Sequence, residues 1–155
     1  MTKGVTYSII TAVPGDVVSL DNVSDEVFAS RALGEGVGII PKTGTITAPV
    51  SGTVSVVQKA GHAYAISTTD GLDVLIHVGI DTVELEGKGF EPKVLVGQVV
   101  TAGDILAVVD LDTIKSAGFD PTTLIVVTNT QDFSSVKPLF DFEAMATSTI
   151  IEVIK

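Results

Sequence analysis

The sequence predicts an all-β protein, an antiparallel sandwich or barrel with one or two short helical turns. Valine, isoleucine and threonine dominate the chain, and these β-branched residues fit a pleated sheet. Fifteen glycines punctuate it every few residues and supply turns and bulges. Short apolar runs bounded by turn signals follow one another without a long 3.6-residue periodicity, the pattern of stacked antiparallel strands.

In chain order, strands are expected at residues 6–11, 16–19, 37–41, 45–48, 53–58, 63–67, 74–78, 98–100, 105–109, 124–128 and 149–154. Only two segments read as helical. Ser24 is placed to cap a turn over Asp25, Glu26, Val27 and Phe28, with acids at the positive end. The other runs over 111–117, started by Asp110 or Asp112 and stopped by Gly118. A weak echo links 12–20 (AVPGDVVSL), 48–56 (APVSGTVSV) and 96–104 (VGQVVTAGD), which suggests a duplicated β unit or simply reused turn chemistry. No linker or low-complexity stretch divides the 155 residues. One domain over 1–155 is expected, with its core at about 6–135 and a last strand at about 147–154.

Nineteen acids against nine bases give a formal charge of -10, and Arg31 is the single arginine. No basic cluster meets the needs of nucleic acid or of an anionic membrane surface. An acidic chain favours basic protein partners. With no cysteine there are no disulfides, thiolate zinc sites or cysteine nucleophiles, which fits a reducing cytoplasm. Mean hydropathy is +0.51. Even so, the longest apolar stretch, 94–109, is broken by Gly97, Gln98, Thr101, Gly103 and Asp104, short of the roughly 20 residues a spanning helix needs. Direct membrane insertion is not expected, and the apolar excess is assigned to a core. The Met1 start and the tail to Lys155 favour a free protein over a piece excised from a longer multidomain chain.

The unusual side chains are two histidines. His62 lies in 59–66 (KAGHAYAI) and His77 in 74–84 (VLIHVGIDTVE). The intervening turn at 68–73 is centred on Asp70-Gly71, a strong hairpin signal, so the two strands should pair and bring the imidazoles together. Such a pair suits a metal site, acid–base catalysis or nucleophilic acceptance of a group. No His-x-His, no His-Glu-x-x-His and no third histidine supports a metal, although Asp81 or Glu84 is near enough in sequence to complete one. No Gly-x-Ser-x-Gly elbow and no phosphate-binding Gly-Lys-Ser/Thr loop occurs either. An imidazole that takes up a phosphoryl group and passes it on remains the simplest use.

On these residues the chain resembles enzyme IIA of the glucose family of the bacterial phosphoenolpyruvate-dependent sugar phosphotransferase system. Segments 75–85 (LIHVGIDTVEL) and 87–90 (GKGF) are close to that family's active-site signature, and 61–66 (GHAYAI) matches the segment of its other histidine. Segments 27–30 (VFAS), 34–41 (GEGVGIIP), 48–54 (APVSGTV) and 96–104 follow in family order, so the resemblance covers about 6–135. It implies the duplicated-hybrid-motif type of β-sandwich, no cofactor and no metal. It also implies that His77 accepts a phosphoryl group from the carrier HPr and hands it to a sugar-specific IIB domain, with regulatory targets as further partners.

In that reading His62 assists by hydrogen-bonding the phosphoryl oxygens, and the Gly79 carbonyl fixes the His77 tautomer. Asp81 and Glu35 engage basic groups on partners, and Val37, Ile39, Val83 and Phe90 line an apolar docking surface. A zinc-dependent hydrolase using His62, His77 and Asp81 is the alternative enzyme. One departure stands out: Ala60 occupies the position where the family usually has a threonine whose hydroxyl supports the site.

Overall fold

The computed structural model describes residues 5–155. Along the chain run β1 (Thr6–Ile10), β2 (Gly15–Ser19), α1 (Glu26–Ala29), β3 (Glu35–Pro41), β4 (Thr45–Thr47), β5 (Gly52–Val57), β6 (Ala63–Ser67) and β7 (Asp73–Val78). They are followed by β8 (Phe90–Pro92), β9 (Val99–Val100), β10 (Ile105–Val109), α2 (Leu111–Ser116), β11 (Thr123–Val127), β12 (Ser135–Pro138), β13 (Phe142–Ala144) and β14 (Thr149–Ile154). Single 3-10 turns sit at Leu20–Asn22, Thr82–Leu85 and Thr130–Asp132.

The strands form an eight-stranded sheet in the order β13-β2-β3-β11-β7-β6-β5-β9 and two three-stranded sheets, β1-β14-β12 and β4-β10-β8. Every ladder among the described residues is antiparallel. The large sheet does not close on itself, so of the two expected architectures the sandwich is the one formed.

Alternation along the strands separates two faces of the large sheet. Val37, Ile39, Tyr64, Ile66, Val74, Ile76, Ile125 and Val127 face one way and join the main core. Ile9, Ile151 and Val153 enter that core from one small sheet, and Ile46, Leu106 and Val109 from the other. On the opposite face a smaller cluster forms, where Leu124, Val126 and Leu75 are covered by Leu20, Val23, Phe28 and Ile80. Those covering residues come from α1, from the turn before it and from the segment after β7.

The expected strands all occur. β3 begins at Glu35, two residues earlier than expected, and β8, β12 and β13 were not anticipated. Each of these three carries a proline or lies beside acidic residues, which masks the apolar alternation of a strand. Helix α1 starts one residue later than expected: Asp25, not Ser24, is the cap, its Oδ1 accepting from Val27 N at 2.9 Å. Asp110 caps α2 through the amides of Asp112 and Thr113. The three echoing segments meet in space. Thr47 N bonds the Ala12 carbonyl, and Ala48 exchanges two backbone bonds with Gly103 and Asp104, each of the three at 2.8 Å.

Candidate functional site

The β6–β7 hairpin forms around Asp70-Gly71 as the sequence predicts. Gly71 has φ +92, which only glycine adopts freely, and Thr68 closes the turn through Leu72. The register pairs Ala63 with His77, so His62, the residue before β6, stands beside the end of β7. Its carbonyl accepts from Val78 N at 2.7 Å. The two imidazole centroids are 5.2 Å apart with their planes at 78°. His77 is half-buried and His62 buried at 7% exposure.

Each ring is constrained differently. His77 Nδ1 lies 2.8 Å from the Gly79 carbonyl, which can only accept; Nδ1 therefore carries the proton and Nε2 keeps its lone pair. The Phe28 ring packs against His77, also with centroids 5.2 Å apart. His62 Nδ1 is buried without a hydrogen-bond partner among the described residues. A buried N–H without an acceptor is rarer than a bare lone pair, which puts the His62 proton on Nε2. Tyr64, fully buried, donates to the Gly61 carbonyl at 2.8 Å and braces the His62 segment.

Burial pushes the His62 pKa below that of a free imidazole. His77 is lowered as well, chiefly by burial; the Gly79 bond opposes this, the neighbouring His62 adds to it, and the charges of Asp25 and Asp81 oppose it. Both rings are thus neutral at pH 7. The sign of the consequence for folding is fixed. Below about pH 6.5 an unfolded histidine takes up a proton while the folded pair, with lower pKa values, does not yet. The unfolded chain then binds more protons, so stability is lost as pH falls through this window. Thermal melts from pH 7.5 to 5 are expected to show a larger loss for the wild type than for a His62→Gln/His77→Gln double variant. Equal losses would show that the pair does not cause it.

The remaining expected residues divide. Asp81 adopts a left-handed conformation at φ 59 and lies exposed at the start of the Thr82–Leu85 turn. Val83 is 54% exposed beside it. Phe90 packs partly into the main core and against Gly61, next to His62. Val37 and Ile39 are corrected: both are fully buried, on the face of β3 turned away from the histidines, and cannot meet a partner. Gly36, Gly38 and the exposed Ile40 are the β3 residues on the His77 face, and Gly38 lies in the row Gly38–Leu124–His77–Ala63.

Glu35 is three residues further along β3, roughly 10 Å from that row. It is bound to Arg31 at 3.3 Å, and Arg31 also holds Asp21 at 2.6 Å. Two residues escaped the sequence reading. Phe28 and Asp25 were read only as parts of a helical turn; Phe28 packs over Leu124 and Val126 of β11, a placement no local pattern announces. Among the described residues no group of three or more His, Cys, Asp or Glu side chains is gathered as a metal ion would need. No described helix is long and apolar enough to cross a membrane.

Comparison with known proteins agrees with this geometry. The chain is 40% identical over 148 residues to the glucose-specific EIIA component of Bacillus cereus, covering 96% of this chain and 88% of that protein. It is 46% identical over 135 residues to the glucose-specific EIICBA component of Streptococcus pneumoniae, covering 87% of this chain. It is 41% identical over 147 residues to a β-glucoside-specific EIIBCA component of Dickeya chrysanthemi, covering 95%. This chain spans only 19% and 23% of those two longer relatives, in which the EIIA part is fused to others. Glucose permease IIA from Mycoplasma capricolum superposes with a TM-score of 0.83 at 34% identity, covering 96% of each chain. The family model of the phosphoenolpyruvate-dependent sugar phosphotransferase system EIIA 1 matches residues 7–133, a span that contains both histidines and the loop that orients them, and the chain belongs to that family.

Proposed function

We propose that this chain is a phosphocarrier of the sugar phosphotransferase system that accepts a phosphoryl group from phospho-HPr on His77 and passes it to a IIB domain. The observation that carries the proposal is the His77 ring itself. Its Nδ1–H is held by the Gly79 carbonyl, and its Nε2 lone pair sits beside a second neutral imidazole.

In the first step His77 Nε2 attacks phosphorus, the Nε2–P bond forms, and the N–P bond to the donor imidazole breaks with its electron pair returning to the donor ring. No proton has to cross. The phosphorylated His77 ring keeps its Nδ1–H on Gly79, which helps it leave as a neutral imidazole when the acceptor attacks in turn. Such a transfer depends on positioning and charge stabilisation. His62 supplies an Nε2–H to the phosphoryl oxygens, and Phe28 holds the His77 plane.

Around the pair, Val27 and Val83 are half exposed beside the acids Asp25, Glu26, Asp81 and Glu84. An apolar centre with an acidic rim suits a partner with an apolar patch ringed by bases, where charge sets encounter and register. Relatives in which EIIA is fused to the B and C components support IIB as the acceptor. Core residues from Ile9 to Val153 join in one cluster, which supports reading 1–155 as one EIIA domain. A cytoplasmic setting accords with the absence of cysteine.

The test is incubation with phosphoenolpyruvate, enzyme I and HPr, followed by mapping of the phosphate. One acid-labile phosphate on His77 is expected. Label elsewhere, or none with active HPr, would refute the proposal.

A further inference from the structure

We propose that Asp120, on the turn before β11, is a positioning residue that fixes the tautomer of His77 by holding the loop after β7. The inference concerns the same histidine as the phosphocarrier reading and rests on that reading for its effect on transfer, though not for its effect on the ring.

The loop from Val78 to Thr82 has an unusual backbone: Gly79 at φ 83 and Asp81 at φ 59 are both left-handed. That path turns the Gly79 carbonyl back towards His77 Nδ1. A segment bent this way keeps its shape only if its surroundings over-determine it. Two braces do so. From within, the Thr82 hydroxyl donates to the Val78 carbonyl. From outside, both amides at the bend are bonded to one short segment about 40 positions away: Gly79 N donates to the Thr122 carbonyl at 3.0 Å and Ile80 N to the Asp120 carbonyl at 2.9 Å.

Those two carbonyls are set by the Asp120 side chain. Its Oδ1 accepts from Thr122 N at 2.9 Å and from Thr122 Oγ1 at 2.6 Å, closing an Asx turn around Pro121. Proline fixes its own φ and confines Asp120 to extended conformations, so the carboxylate bonds select one geometry from the few left. Thr122 is buried whereas Asp120 is exposed. Nothing in the core therefore demands an acid there. The chain Asp120 Oδ1, Thr122, Gly79 and His77 Nδ1 is a continuous set of bonds from the surface to the ring.

The role needs an acceptor oxygen, not a charge, and this separates two variants. Asp120→Asn retains an Oδ1; Asp120→Ala has none. With uniformly 15N-histidine-labelled full-length protein, long-range 1H–15N correlation spectra read the tautomer of each ring directly. The wild type and Asp120→Asn are expected to show His77 protonated at Nδ1. Asp120→Ala should raise the Nε2-protonated population of His77 about fivefold, the effect of losing one modest hydrogen bond. His62 should be unchanged. Thr122→Val, which removes the hydroxyl bond and leaves the amide bond, should fall between.

An unchanged His77 tautomer in Asp120→Ala would overturn the proposal, and so would an equal shift in Asp120→Asn. Transfer from phospho-HPr is measured on the same samples, with Asp120→Ala expected to slow acceptance about fivefold and Asp120→Asn to leave it near normal. If the tautomer shifts as stated while even the wild type takes no phosphate from HPr, the phosphocarrier reading fails and the positioning role of Asp120 stands.

Discussion

His77→Gln is expected to abolish phosphoryl acceptance while leaving the fold in place. The amide of glutamine has no nucleophilic nitrogen lone pair, so the step that forms the Nε2–P bond has no substitute in that side chain. Loss of the attacking group from a site whose members act together costs about 10⁴-fold or more. The structural cost is small by comparison. His77 is half-buried and neutral, it makes one hydrogen bond to Gly79, and the glutamine amide can donate there. A change in stability within about 1 kcal/mol follows.

His62→Gln separates the roles. It leaves the nucleophile intact and removes a donor aimed at developing charge, a loss worth roughly 10²–10³-fold in rate. The measurement is the rate and stoichiometry of labelling by phospho-HPr, followed by transfer to IIB. Full labelling of the His77→Gln protein would show that another residue is the acceptor. An unchanged transfer rate for His62→Gln would remove His62 from the mechanism.

What the sequence conveyed about this site followed from local chemistry. The hairpin that joins the histidines is set by Asp70-Gly71 and by alternation within 63–67 and 74–78, all readable over a few residues. The Gly79 carbonyl sits two residues from His77, so its approach is a local matter as well. Alternation also held the answer for Val37 and Ile39. In β3 Val37 and Ile39 share the face that joins the main core, whereas Gly36, Gly38 and the exposed Ile40 take the other. Reading 37–41 as simply apolar hid that.

The long-range contacts were a different matter. Asp120 and Thr122 reach the loop after β7 only because β11 pairs with β7 on one side and β3 on the other. Nothing within 119–123 announces that partner. Glu35 is similar: its acidic character was legible, but its ion pair with Arg31 depends on the left-handed turn at Arg31 that precedes β3.

Gly79→Ala is expected to be costly for folding and for chemistry together. A Cβ on Gly79 would stand 2.4 Å from Thr82 Cγ2 and 3.1 Å from the Asp120 carbonyl oxygen, at φ +83. Thr82 cannot yield, because it is fully buried and its hydroxyl is bonded to the Val78 carbonyl. The left-handed conformation costs an L-residue about 1–2 kcal/mol, and overpacking adds roughly 1–3. A total of about 2–5 kcal/mol corresponds to a fall in melting temperature of roughly 4–20 °C for a chain of this size. Gly71→Ala is the control, since Gly71 has φ +92 with nothing within 4 Å of its Cβ, and so carries the conformational term alone. The difference between the two melting temperatures isolates the clash with Thr82. Relief of that clash must move the Gly79 carbonyl off His77 Nδ1, so Gly79→Ala should also slow phosphoryl acceptance whereas Gly71→Ala should not. Equal melting temperatures and equal transfer rates for the two variants would mean that the loop after β7 is not the rigid support of His77 described above.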